Sequence, residues 1–264
     1  MSIALQLAEA LHRFNAKERN HLMRFALLGE TDGGPPKQSA QWVHPNFFES
    51  LRGAVAGSPG GGSAIELSPS ARCVYAAMDY HLDWLRGALW LVGKKSESAP
   101  DQVSHAIETR KRDNEQWDVM GNQEDIDLLL VIADGATTHL VCVEAKGDDA
   151  FSDEQLLSKF RRLKLILSGD ESELMVSLVL LAPDDLASKA ANSQLINNEA
   201  PTRFGGRIFS MNMPNFPAEL DRVTRCNASG KNPKGLKRET RQQDLTCWTI
   251  KQRKRPPRVK QSKP

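Results

Sequence analysis

Glu124-Asp125-Ile126-Asp127-Leu128-Leu129-Leu130-Val131-Ile132 leads through Ala133-Asp134-Gly135-Ala136 to Leu140-Val141-Cys142-Val143-Glu144-Ala145-Lys146, and the fold turns on how these runs pair. Each apolar run is too short for a helix and rich in Leu, Val and Ile, which suits a strand buried on both faces. Asp134-Gly135 lies between them, and Asp-Gly between apolar runs is a strong hairpin signal. Each strand also carries acid at one end.

Parity decides whether those acids meet. A two-residue turn at Asp134-Gly135 pairs Ala133 with Ala136, Asp127 with Cys142 and Asp125 with Glu144. A turn at Gly135-Ala136 pairs Asp127 with Glu144. Strand side chains alternate with period two, so either turn puts Asp125, Asp127, Cys142, Glu144 and Lys146 on one face. Only an odd-length loop separates them. Opposite or diagonal residues on one face lie within roughly 4.5 to 8 Å, close enough for two carboxylates to share a cation.

A carboxylate at the edge of an apolar strand needs a counter-charge, because an unpaired buried one is costly. Mg²⁺ prefers oxygen ligands and is commonly held by one or two carboxylates plus water and substrate phosphate, which fits an Asp and a Glu. Lys146, two residues beyond Glu144 on the same face, would then orient an attacking water and balance charge on a phosphate. The plainer alternative is a solvated strand end whose Glu and Lys form a salt bridge of little energetic worth.

Asp127 followed by Glu144-Ala145-Lys146 resembles the signature of the PD-(D/E)XK nuclease superfamily, over roughly Trp117 to Ala182. The resemblance implies a restriction-endonuclease-like fold, a mixed β-sheet flanked by helices. It implies a Mg²⁺-dependent nuclease, with Mn²⁺ as a substitute, acting on DNA. In that family the Asp and Glu ligate the metal, the carbonyl of the intervening residue adds a ligand, and the Lys serves the water. Those roles fall on Asp127, Glu144, Ala145 and Lys146. Ile126 stands where the family name has Pro, which leaves Asp125 and Asp127 both open as the ligand. A bare Glu-x-Lys arises by chance in a chain of this size, so its setting on the hairpin carries the weight.

Ser152-Asp153-Glu154-Gln155 has the form of a capping box, and Leu156, Phe160, Leu163 and Leu167 recur at helical spacing up to Gly169. Some branches of the resembled superfamily place a Gln and, one turn later, a basic residue on this helix facing the site. Gln155 and Lys159 match. The competing reading is that Gln155 only closes the cap.

Elsewhere, Ser2 to Phe14 reads as an amphipathic helix with Ile3, Leu7, Leu11 and Phe14 on one face, and Asn15 to Gly29 as a second. Pro45 opens a short helix through Phe47, Phe48 and Leu51, and Gly57 to Ser63 reads as a surface loop. Ser68-Pro69 is expected to open a long helix carrying Val74, Met78, Leu82, Leu85, Leu89 and Val92 to Gly93. Asp79, His81, Asp83 and, on an expected helix from Asp101 to Arg110, Glu108 are candidates for the extra acid or ligand that the resembled fold often draws from upstream. For each, a solvated or packed role is the plainer reading. Leu174 to Ala182 reads as a strand, making a strand–helix–strand crossover, and Arg207 to Met211 as another. The fold class is α/β, organised as a helical region over 1–93, a core over 94–222 and a basic, partly disordered tail over 223–264.

The 264 residues hold four scattered Cys with no Cys-x-x-Cys pair, which argues against zinc and for a reducing cytoplasm. No apolar run reaches the roughly 18 residues of a membrane helix. Residues 223–264 carry thirteen Lys and Arg against Glu239 and Asp244, a net +11 in a chain of net +2. Such a tail holds phosphates by counterion release, or serves only as a solubilising segment or a contact for the acidic body, and Asp244 to Ile250, with Trp248, reads as a small docked strand or a stacking platform for a base. The expected partner is therefore nucleic acid, with no membrane. Two rivals stand beside the nuclease: an inactive binding module of the same fold, and a regulatory factor acting through residues 1–93.

Overall fold

In a computed structural model of the chain, Gly135 takes φ +59° and with Ala136 closes a two-residue turn between the strands Asp125–Asp134 and Thr137–Ala145. A left-handed φ is one glycine adopts without strain, which places the turn at Gly135-Ala136. The register runs from Asp134 opposite Thr137 to Leu128 opposite Val143, the second of the two pairings open from sequence. The loop is even, so the acids stay together.

The structure describes residues 2–14, 43–56, 65–93, 117–121, 124–147, 150–167, 174–183, 185–193, 208–213, 219–229, 231 and 246–254. The helices are α1 (Ile3–Phe14), α2 (Pro45–Arg52), α3 (Leu82–Gly93), α4 (Asp153–Ile166) and α5 (Leu186–Ala191). The strands are β1 (Val55–Ala56), β2 (Arg72–His81), β3 (Asp125–Asp134), β4 (Thr137–Ala145), β5 (Leu174–Ala182), β6 (Ile208–Asn212), β7 (Glu219–Cys226) and β8 (Cys247–Lys254). The expected helices over 15–29 and 101–110 and the loop 57–63 lie outside the described residues.

Strands β1 to β6 form one mixed sheet in the order β1-β6-β5-β4-β3-β2. β4, β5 and β6 run parallel, with α4 linking β4 to β5 as the expected crossover, and β2, β3 and β4 are antiparallel neighbours. Helices cover both faces. Leu7, Leu11, Leu85, Leu89, Phe160 and Leu163 pack on the face bearing Leu129, Val131, Leu140 and Cys142. Phe48 and Leu51 of α2 pack on the other, with Leu130, Ile132, Val141 and Val143. Both faces of β3 and β4 are thus buried, as their unbroken apolar runs require. Gly87 of α3 lets Phe14 of α1 approach closely, since a Cβ there would stand 2.9 Å from the ring.

The long helix expected from Ser68 is half strand. Residues 72–81 are β2, paired with β3, and the helix begins only at Leu82. Val74, Met78 and Leu82 imitate helical spacing, yet Met78 is 49% exposed while Tyr75, Ala77 and Tyr80 are buried. Ser68 does not cap a helix because its side chain is spent elsewhere. Its hydroxyl and its N–H both donate to the Asp134 carboxylate at the hairpin end, the latter at 2.8 Å. Ala71 N–H to Ser68 C=O (3.1 Å) then closes a turn with Pro69 inside it.

Residues 1–93 are accordingly not a separate helical region, because α1 and β2 belong to the same core and sheet as the hairpin. Met1–Met213 forms one compact unit and Pro214–Pro264 another. Within the second, β7 and β8 pair as an antiparallel ribbon, so part of the expected tail is ordered. Among the described residues no helix is long and apolar enough to cross a membrane.

Asp134 ties the strand that follows Ser68 to the hairpin, and Ser68 holds its carboxyl below the usual carboxylate range. Asp134→Ala leaves two donors without their acceptor and is expected to lower stability by about 1–3 kcal/mol, read by urea unfolding at neutral pH.

Candidate active site

The β3–β4 ladder ends at Leu128 opposite Val143, which leaves Asp127 and Glu144 as the next residue of each strand. Asp127 Oδ2 accepts from the Ala145 N–H at 2.7 Å, pinning the aspartate to the strand that carries Glu144. Both side chains, with Asp125, Lys146 and Gln155, line one cleft of about 340 Å³ between the sheet end and the start of α4. The side chains of Asp127, Glu144, Lys146 and Gln155 are therefore gathered. Ala145, whose carbonyl the resemblance offers as a ligand, is engaged through its N–H, which donates to Asp127. Lys146 N–H donates to Leu181 C=O at 2.9 Å, fixing the backbone of the Lys against β5.

Glu144 is the most demanding group. Only 7% of its side chain is exposed, and burial pushes its carboxyl up to about 7. Lys159 works against that rise, its ammonium lying 2.6 Å from Glu144 Oε1, and nearby Asp127 adds to it. Lys159 Nζ also donates to the Asp125 carbonyl at 2.6 Å, so one cation of α4 ties the ends of β3 and β4 together. Beneath Glu144 on β4, burial and the carboxylate push the Cys142 thiol up to about 12, leaving it without nucleophilic character.

The capping box read at Ser152 is not made. Ser152 is the N-cap, but its side chain accepts no capping bond, and α4 begins through Leu156 N–H to Ser152 C=O at 3.0 Å. Ser152 and Gln155 line the cleft instead.

The upstream candidates divide. Asp83 accepts from Met120 N–H (3.0 Å), Gly121 N–H (2.8 Å) and Arg162, which makes it a structural anchor. His81 lies 3.5 Å from Asp125 Oδ1 with its ring 4.1 Å from that of Trp84, a packed position beside the cleft. Asp79 has a left-handed φ of +51°, between the pairs Met78–Leu128 and Tyr80–Ile126, so its backbone stands across from Asp127. Glu108 lies outside the described residues.

Sequence reading missed Arg162. Its side chain is 1% exposed and bridges Asp83 with Glu124, the latter at 3.0 Å, so α3, α4 and the start of β3 are clamped by one guanidinium. The clue was available: Gln155, Lys159 and Arg162 recur at helical spacing as a polar stripe beside the apolar face of α4.

Two carboxylates suit a hard cation completed by water and phosphate oxygens rather than an all-protein cage. Among the described residues no three His, Cys, Asp or Glu side chains are grouped to hold a metal alone. The donor set fits Mg²⁺ at Asp127 and Glu144. Burial keeps the Glu144 carboxyl raised despite an ammonium at contact distance.

Comparison with known proteins finds no matching family model, curated protein or solved structure.

The raised carboxyl makes stability depend on pH. Unfolded, Glu144 titrates near 4.5, and folded near 7. Below pH 4.5 it is protonated in both states, so its contribution is fully present. From pH 4.5 upward the unfolded chain gives up this proton while the folded one keeps it, so the contribution falls and is gone once pH passes 7, on the order of 3 kcal/mol in all. Glu144→Gln removes this dependence. In EDTA, the variant's stability relative to wild type is expected to rise by that amount between about pH 4.5 and pH 8, measured by urea unfolding.

Proposed function

We propose that the chain is a Mg²⁺-dependent nuclease of PD-(D/E)XK type that hydrolyses phosphodiester bonds, with DNA as its substrate. The observation that carries this reading is the convergence of Asp127, Glu144 and Lys146 on one cleft at the end of a buried hairpin. Asp127 and Glu144 would hold the cation, with Mn²⁺ as a substitute. Bound there, Mg²⁺ would polarise a phosphoryl oxygen and acidify water, the two services a phosphodiesterase needs from a metal.

The chain's own residues supply the rest. Lys146 sits one residue past β4 with its backbone fixed, so its ammonium can orient the attacking water and balance charge gathering on the phosphate. Gln155 offers an amide to the same cleft, able to hold water or a phosphate oxygen. Lys159 holds Glu144 in place and, being cationic, favours its ionised form. DNA as the substrate follows from the family resemblance, and the net +11 of residues 223–264 supports a polyanionic partner.

A second reading, an inactive module of similar fold, is favoured by one contact. Lys159 already lies 2.6 Å from Glu144, so the two also make sense as a structural ion pair. Incubating purified protein with circular and linear DNA, in Mg²⁺ or in EDTA, separates the two. Cleavage in Mg²⁺ alone, reduced roughly 100-fold or more by Glu144→Ala and by Lys146→Ala, is expected of the nuclease. Equal cleavage by wild type and Glu144→Ala, or none by either while DNA is still bound, overturns it.

A further inference from the structure

We propose that the Trp248 face of the β7–β8 ribbon binds single-stranded polynucleotide, the indole stacking on an unpaired base. In the ribbon Arg225 pairs with Trp248 and Val223 with Ile250, so these four alternate positions share one face. That face is open. Val223 is 68% exposed, Trp248 65% and Ile250 57%, and Arg225 is exposed beside them. On the other face Cys226 is 2% exposed and Thr224 and Thr249 are half-buried. Single exposed apolar residues are ordinary, but three gathered on one face of a narrow ribbon mark a contact surface.

Charge identifies the occupant. Residues 223–264 hold thirteen Lys and Arg against two acids, whereas residues 1–222 are net −9. An apolar protein partner has no need of that concentration, while a phosphate backbone does. A duplex buries the faces of its bases in its own stack. A single strand presents them, and an exposed indole stacks on any base without reading its edge. Aromatic surface embedded in cationic sequence therefore matches an unpaired strand better than a duplex.

The inference rests on the proposed function only in taking a polynucleotide as partner. Binding measured in EDTA keeps its failure distinct from a failure to cleave. The experiment is fluorescence anisotropy of labelled oligo-dT, oligo-U and a DNA duplex of equal length with the full chain, comparing wild type, Trp248→Ala and Trp248→Phe. Either single strand is expected to bind more tightly than the duplex. Trp248→Ala should weaken single-strand binding about tenfold, as loss of one stacked base does, without changing the slope of affinity against salt. Trp248→Phe should recover most of the loss, which a misfolded ribbon would not. Unchanged affinity in Trp248→Ala, or an equal loss for duplex and single strand, overturns the proposal. So does wild-type self-association that Trp248→Ala abolishes, since the face would then belong to a second copy.

Discussion

Burying one carboxylate, that of Glu144, sets the demands that the residues around it meet. β4 is apolar from Leu140 to Val143, just before this acid, and lies inside the sheet, between β3 and β5, with helices on both faces. An acid there must be neutral, paired or bound to a cation. The fold offers Lys159 from α4 as a partner and Asp127 from β3 as a neighbour of like charge. These pull in opposite directions, and the rise to about 7 shows that burial still prevails. A second cation between the two acids would relieve both, which joins the proposed metal to the burial of Glu144.

The surroundings hold that arrangement firmly. Arg162 clamps Asp83 of α3 to Glu124 at the entry of β3, and Lys159, on the same stripe of α4, reaches the Asp125 carbonyl at 2.6 Å. The chain entering the sheet before β3 and the helix crossing over after β4 are thereby fixed against each other around the cleft. Side chains that must meet a reacting phosphate within tenths of an ångström need such a frame, because catalysis by positioning fails when the supporting groups are loose.

Much of this was legible in the sequence, for identifiable reasons. The hairpin announced itself because its signals are local: short Leu/Val/Ile runs, Asp-Gly between them, and a period of two that keeps Asp127 and Glu144 on one side. Which of two even turns forms was not legible, and Gly135 at φ +59° decides it. β2 was misread because Val74, Met78 and Leu82 imitate a helical stripe and Ser68-Pro69 imitates a helix start. The contact that cancels the second signal joins Ser68 to Asp134, 66 residues apart, beyond any local pattern. Arg162 was missed for a similar reason, since its partners come from α3 and from the residue before β3. The strand read within 244–250 is found as β8, which runs on to Lys254, into the stretch whose composition suggested disorder, because β7 pairs with it.

The central claim is that Asp127 and Glu144 grip one divalent ion, and the most direct measurement is anomalous X-ray scattering from crystals grown with Mn²⁺. The account predicts a single strong peak within bonding distance of a carboxylate oxygen of each residue, absent in Glu144→Gln crystals. Peaks confined to other parts of the surface, with Lys159 still against Glu144 at saturating Mn²⁺, would contradict it.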